Sequence, residues 1–479
     1  MLKAAPTAKR SLMTQSTAPR LRLQIFRLRR LADTGPDLGL ETILPRALVQ
    51  QVLREEGARW RRVFYTPWLT FWAFFWQALS PDHSCRAAVK RVAAWMARRG
   101  EKLDDEDTGA YCKARARLPE SVLSRLMRSL GHRLHDEAPE GWLWCGRRVK
   151  VVDGTTLSMP DTPANQRDYP QSSSQKPGLG FPIARMVVLF CLSTGCVLEA
   201  AVGKYQGKQT GENALYRRLW DEGLRAGDVS LGDRCYGSYF DIALLCRRGV
   251  DGVYRLHQLR VADFRRGRRL GKEDHVVTWS KPARPDWMEP ATYDELPATM
   301  EVRVVRVHVD RRGFRTRVLD LVTTLLDAEV YTKKNLASLY RRRWDAELHL
   351  RSIKVVLELD VLRCKTPELV RKEIWMGLLG YNVIRAAMAE AASAHGRLPH
   401  RVSFKGALQT VLACAEALRE GTSGQRHWLW EILLESIAHD EVGQRPDRVE
   451  PRARKRRPKP YPLLMVPRQE AKEALLKAS

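Results

Sequence analysis

The chain has 479 residues, with 82 Lys and Arg against 55 Asp and Glu and a formal net charge of +27. That length predicts two to four domains, and 44% hydrophobic residues suffice for real cores. The positive excess calls for a polyanionic partner and argues against a simple metabolic enzyme or an extracellular disulfide scaffold, without separating nucleic acid from an anionic membrane.

Nine cysteines are scattered and no C-x-x-C occurs. An odd count without metal spacing reads as ordinary buried thiols in a reducing compartment. His132 and His135 form an H-x-x-H with no further ligands at metal spacing, so they read as surface histidines.

The first 32 residues hold eight Lys/Arg and no acid, which reads as a basic arm for phosphates in preference to an organelle transit peptide. Residues 41–138 have helical spacing, as in Leu48 to Leu53, Cys85 to Met96 and Val122 to Leu134. The run Trp68 to Leu79 is about half the roughly 20 residues of a membrane span, so a buried helix is expected. Pro119 should open the last of these helices.

From 148 the period changes. Arg148 to Val152 reads as a strand, and Arg185 to Leu192 and Cys196 to Val202 as a hairpin around Ser193-Thr194-Gly195. Gly211 to Leu224 and Tyr239 to Arg247 read as helices; Asp228 to Leu231 and Gly252 to Leu256 read as strands. Strands followed by helices imply an α/β core. The Arg/Gly/Pro-rich stretch 257–318 reads as a β-rich insertion, with Arg303 and Arg306 interleaved in the alternation of Val302 to Val309. Residues 317–326 return to strand. A long helix is expected over Asn335 to Leu359, further helices over 367–395 and 396–440, and an extended basic tail over 445–459.

Three acids stand out. Asp153 ends the first strand and Asp233 a later one, and such ends meet at one edge of an open α/β sheet. Glu347 lies on the long helix. At about 100° per residue, Tyr340, Arg343, Glu347 and Lys354 fall within roughly 60° of one another, beside an apolar stripe of Leu339, Ala346, Leu350, Ile353 and Leu357. Alone, that pattern is an ordinary amphipathic helix; two aspartates at strand ends change its reading. Two Asp and one Glu suit two Mg²⁺ about 4 Å apart for phosphodiester chemistry, with Mn²⁺ able to substitute. Arg343 and Lys354 would hold DNA phosphates, and Tyr340 would bond a phosphate or order a side chain.

Tyr340-x2-Arg343-x3-Glu347-x6-Lys354 resembles the Y-R-E-K signature of one group of bacterial insertion-sequence DDE transposases (insertion-sequence family four). D-G-T-T-L at 153–157 and L-G-D-R-C-Y at 231–236 resemble the segments carrying that group's two aspartates. S-C-R-A-A-V-K-R (84–91), Y-C-K-A-R-A-R-L-P (111–119) and K-R-R-P-K-P-Y-P-L-L (455–464) add to a resemblance over nearly the whole chain. Gly154 after the first Asp and Cys235 before Tyr236 depart from the pattern.

The resemblance implies an RNase H-like catalytic core (148–256 and 319–395) interrupted by a β-rich insertion (257–318). A helical DNA-binding region (1–147) and a C-terminal helical region with a basic tail (396–479) would flank it. It implies metal-dependent cut-and-paste transposition by Asp153, Asp233 and Glu347: end cleavage, a hairpin intermediate and strand transfer. The partners would be terminal inverted repeats and target DNA, bound by a homodimer at the bacterial nucleoid, in the cytoplasm and without a membrane. In that group an aromatic of the insertion stacks on a flipped base. Trp279 is the candidate and Trp287 a second; the alternative is a core Trp. The clusters Arg265, Arg266, Arg268, Arg269 and Arg311, Arg312, Arg315 would meet phosphates or sit in solvated loops. The rival functions are an RNase H-like nuclease without strand transfer, a catalytically silent end-binding protein, and a basic structural protein.

Overall fold

The computed structural model describes residues 40, 42–58, 64–309, 318–443 and 462–478. The basic arm, Arg311, Arg312 and Arg315, and the tail at 445–459 lie outside them.

Among the described residues five helices come first: α1 (Arg46–Glu55), α2 (Pro67–Leu79), α3 (Cys85–Ala97), α4 (Thr108–Arg117) and α5 (Glu120–Asp136). Thr66 caps α2 by accepting the Leu69 N–H, and Pro67 occupies the first turn, where its missing N–H costs nothing. Because α2 is apolar on every side, it is buried almost throughout, as the sequence predicts. Pro119 stands one residue before α5, as its N-cap. The histidine pair departs from expectation: His135 is buried, with Nδ1 3.1 Å from Cys191 Sγ, because its face of α5 packs on the sheet. Among the described residues, no helix is long and apolar enough to cross a membrane.

Among the described residues nine strands form one sheet: β1 (Val149–Ser158), β2 (Ile183–Cys191), β3 (Val197–Lys204), β4 (Val229–Gly232), β5 (Asp251–Arg255), β6 (Arg268–Gly271), β7 (Asp274–Ser280), β8 (Thr299–His308) and β9 (Val318–Thr323). Their order is β3-β2-β1-β4-β5-β9-β8-β7-β6. β1, β4 and β5 run parallel, and every other pairing is antiparallel. The chain is thus a mixed α/β protein. Short helices α6 (Pro163–Asp168), α7 (Glu212–Arg217), α8 (Trp220–Gly223), α9 (Tyr239–Arg247) and α10 (Pro290–Glu295) lie between strands. The interleaved arginines of β8 are structural: Arg303 is fully buried and forks onto Asp274 at 2.7 and 2.5 Å, and Arg306 forks onto Asp320 at 2.7 and 3.0 Å.

The helix expected over 335–359 is broken. α11 (Lys333–Arg342) stops at Arg343, α12 (Trp344–Arg351) restarts at once, and Ser352–Val356 forms a π-helical turn. The tight bonds Arg343 N–H to Tyr340 O and Ala346 N–H to Arg343 O, both 3.1 Å, mark the break. The apolar stripe of Leu339, Ala346, Leu350, Ile353 and Leu357 is nevertheless buried throughout.

The 28-residue α13 (Pro367–Ala394) is the spine against which α2 and α5 pack. Its Asn382 amide accepts from Val197 N–H at 2.8 Å and donates to the carbonyls of Val197 and Met127 at 2.8 and 3.1 Å, tying α13 to β3 and α5. Gly131 permits this approach, since a methyl there would lie 2.1 Å from the Val197 carbonyl. Helices α14 (Phe404–Glu420), α15 (Ser423–His439) and α16 (Arg468–Ala478) come last among the described residues. One core lies between α5, α11–α15 and one sheet face; the second lies under α7–α9 on the other.

Candidate active site

The first two acids are brought together by strand register. The last parallel pair of β1 and β4 is Val151 with Leu231, and Asp153 and Asp233 each lie two residues further on. Side chains alternate along a strand, so both aspartates take the face of Val151 and Leu231, which pack in the core beneath α12. β1 does not end at Asp153, as the sequence suggests: it runs to Ser158, because Gly154 to Ser158 still pair with Val187 to Ile183 of β2.

The broken helix brings the third acid to the same face. Tyr340 Oη donates to Asp233 Oδ1 at 3.4 Å, and Arg343 Nη2 donates to Glu347 Oε1 at 2.8 Å. Arg343 is mostly buried, while Glu347 stays 38% exposed and can reach a ligand. Lys354 lies in the π-helical turn, with its Nζ 2.8 Å from Asp360 Oδ1. The outer edge of α12 is apolar, with Trp344 and Leu348 half exposed.

The electrostatics follow from burial and crowding. Burial pushes the Asp153 carboxyl up from its usual 3.8 to about 6; the Gly154 N–H and Arg343 oppose this, while the Glu347 and Glu212 charges add to it. Burial, then Asp233, raises the Tyr340 hydroxyl above its usual value, so it stays a donor. Cys235 is pushed up to about 12, by burial first and then by Glu212, Asp233 and Asp153.

Glu212, at the head of α7, is the acid that sequence reasoning passes over. It sits in a six-residue helix 58 residues after Gly154, with no motif around it. The one available signal is Gly154 itself, where a side chain would collide with it.

The donor set is all carboxylate oxygen, which suits a hard divalent cation and no soft one. Among the described residues, no three His, Cys, Asp or Glu side chains converge on one point close enough to hold an ion. Glu347 is instead held by Arg343, and Asp233 by Tyr340.

In the insertion, Trp279 is buried, with the Arg260 guanidinium 3.7 Å over its ring. Trp287 is covered likewise by Arg217 at 3.5 Å. Arg265 and Arg266 pair with Asp263, whereas Arg268 and Arg269 are exposed at the sheet edge.

A sequence model of the transposase DDE domain matches residues 144–383. The chain is 30% identical over 362 residues to the transposase InsG for insertion sequence element IS4 of Escherichia coli (strain K12), covering 74% of this chain and 77% of that one. It is 41% identical over 59 residues to the Escherichia coli transposase for insertion sequence element IS421, 12% of this chain and 16% of that one. A piggyBac transposase synaptic complex with hairpin DNA aligns at a TM-score of 0.41 and 9% identity, covering 84% of this chain and 85% of that one. The chain belongs to the DDE transposase family, of the IS4 type, and is a transposase that acts on DNA.

Proposed function

We propose that Asp153, Asp233 and Glu347 are the catalytic acids and hold two Mg²⁺, with Mn²⁺ able to substitute. The observation that carries this reading is the shared register of the two aspartates on the sheet face that α12 crosses with Glu347. Their family depends on divalent metal. When bound, the metal acidifies the attacking water or 3′-hydroxyl and offsets charge on the leaving oxygen.

The residues around it have separable tasks. Tyr340 keeps Asp233 oriented by donating to it. Arg343 presents its remaining guanidinium N–H groups to a phosphate once Glu347 turns to metal, a planar fork matched to phosphate oxygens. Lys354 is a phosphate contact that exchanges Asp360 for DNA. Trp279 stacks on a flipped base only if Arg260 leaves its face.

The core at 148–256 and 319–395 is RNase H-like. Support comes from the order β3-β2-β1-β4-β5, three antiparallel strands followed by two that run parallel to β1. The β-rich insertion is 257–318. The helical region 1–147 recognises the terminal inverted repeats, and 396–479 helps pair two protomers, so that both ends are held while they are cut. The product sequence is a nick at the element end, a hairpin by attack of the freed 3′-hydroxyl, reopening, and joining to target DNA in the bacterial cytoplasm.

The test is incubation with a duplex carrying the element's own ends and Mg²⁺, read for nicks and hairpins. Hairpinned ends that disappear with Asp153→Ala support the reading. Cutting by that variant refutes the catalytic assignment, and binding without nicking by the wild type favours a silent end-binding protein.

A further inference from the structure

Three cysteines that lie far apart in the sequence gather around one buried cation. Arg115, on α4, is 4% exposed and lies over the Phe74 ring at 4.2 Å. Its Nη1 donates to Gln77 Oε1 at 3.1 Å and to Cys85 Sγ at 3.2 Å, and its Nη2 donates to Cys364 Sγ at 3.0 Å. Among the described residues no carboxylate pairs with it, and its Nε has no acceptor. Two acids line the cavity beside it, and both are engaged elsewhere. Glu373 accepts the N–H groups of Arg363 and Cys364, and Glu358 pairs with Arg363 at 3.1 Å. A buried guanidinium among neutral partners is costly, and a thiolate can supply the anion it lacks.

Cys85 is the sulfur on which donors converge. Besides Arg115, the Gln77 Nε2 and the Cys112 Sγ each lie 3.7 Å from Cys85 Sγ. Gln77 is itself fixed: Tyr111 Oη donates to its Oε1 at 2.7 Å, and its Nε2 donates to the His83 carbonyl at 2.6 Å. Burial, then Cys85, pushes the Cys112 thiol up to about 11, so it stays protonated. All three cysteines are partly exposed and line a cavity of about 420 Å³, through which a small solute reaches the sulfurs. Cys85 stands in the first turn of α3 and Cys112 in the middle of α4. A closure of about 1.7 Å brings their sulfurs to the roughly 2.05 Å of a disulfide.

We propose that Cys85 and Cys112 form a peroxide-reactive dithiol, with Cys85 the attacking sulfur, Cys112 the resolving one and Arg115 the group that holds the Cys85 charge. The Cys85 thiolate attacks one oxygen of hydrogen peroxide: an S–O bond forms, the O–O bond breaks, and the leaving hydroxide takes up the thiol proton as water. The Cys112 sulfur then attacks the Cys85 sulfenic sulfur: the S–S bond forms, the S–O bond breaks, and the second hydroxide leaves as water with the Cys112 proton. The two thiols give up two electrons, and one peroxide is reduced to two waters. In a reducing compartment such a bond is transient and is reversed by thiol exchange. The site shares no residue with Asp153, Asp233 and Glu347.

The test is peptide mapping of the reduced full chain after reaction with equimolar hydrogen peroxide, by mass spectrometry without reductant. The expected product is a Cys85–Cys112 linked peptide that disappears on adding dithiothreitol. In Cys112→Ser, which removes the resolving sulfur, a dimedone probe should trap a sulfenic acid at Cys85 about tenfold or more faster than at the exposed Cys145 and Cys246. The wild-type mapping needs no variant, so it decides the matter even if Cys112→Ser folds poorly. Oxidation of Cys145 or Cys246 ahead of Cys85, or recovery of Cys85 and Cys112 both unmodified, overturns the proposal. A Cys85–Cys364 link overturns the assignment of Cys112.

Discussion

Replacing Asp153 by Asn should stabilise the metal-free protein. A carboxyl whose pKa climbs from 3.8 to about 6 on folding binds more protons folded than unfolded between those values, so its contribution makes stability fall as pH rises. At pH 8 the folded state carries the ionised form at a cost of about 3 kcal/mol, shrinking to about 1.6 kcal/mol at pH 5. Asn has the same shape and no charge to desolvate. With an unfolding entropy scaled to this chain length, Asp153→Asn should raise the unfolding temperature in chelator by about 3 °C at pH 8 and by roughly half that at pH 5. Saturating divalent metal should reverse the order, since a ligand at 1,000 times its Kd adds about 4.1 kcal/mol to a protein that binds it and nothing to one that does not. Differential scanning fluorimetry at the two pH values, with chelator and with Mg²⁺, reads all four numbers. A lower unfolding temperature for Asp153→Asn in chelator at pH 8, or a gain independent of pH, would refute the argument that Asp153 is a buried charge among like charges.

Other expectations follow from single contacts. Asn382→Ala should cost about 3 kcal/mol, because three backbone groups lose a buried partner, and urea unfolding measures it. Arg303→Met should cost about 3–5 kcal/mol by leaving Asp274 buried and unpaired, whereas an unchanged unfolding midpoint would show that the pair contributes little. Replacing Arg268 and Arg269 together by Ala should reduce the slope of log affinity for duplex DNA against log salt by about 2 if both meet phosphates, and a titration at several salt concentrations decides it. Trp279→Ala should destabilise the chain by about 3–5 kcal/mol as a core truncation, with or without DNA chemistry; hairpin yield falling with no stability change would instead favour stacking on a base.

The strands and short helices were legible because their periods are clean. Tyr239 to Arg247 is a helix with those bounds, and Asp228 to Leu231 differs from β4 by one residue at each end. The first strand reads as ending at Asp153 because its apolar run stops at Val152, whereas β1 continues through Gly154-Thr155-Thr156 to Ser158. Those residues hold strand geometry by pairing with Val187, Met186 and Arg185, a partner no local window contains. The break at Arg343 was hidden for a different reason: a tight turn there and a wide turn at Ser352–Val356 offset one another, so the apolar stripe keeps its period across both. Lys354, within the wide turn, pairs with Asp360, six residues on. Asp153 and Asp233 could be singled out because each follows a short apolar run. Glu212 could not, because its place beside Gly154 is made by the packing of α7 and by nothing in its own surroundings. Likewise, the arginines over Trp279 and Trp287 come from distant parts of the chain, and only the folded protein reveals that both rings are covered.

The most direct test of the central claim is single-turnover cleavage of a duplex carrying the element's end in Mg²⁺, with wild type, Asp153→Asn, Asp233→Asn and Glu347→Gln compared at equal DNA occupancy. If these three side chains are the catalytic acids, each variant loses on the order of 10³-fold or more in cleavage rate while still binding the duplex. A variant that cuts within tenfold of wild type would contradict the assignment of that acid, and three such variants would contradict the account.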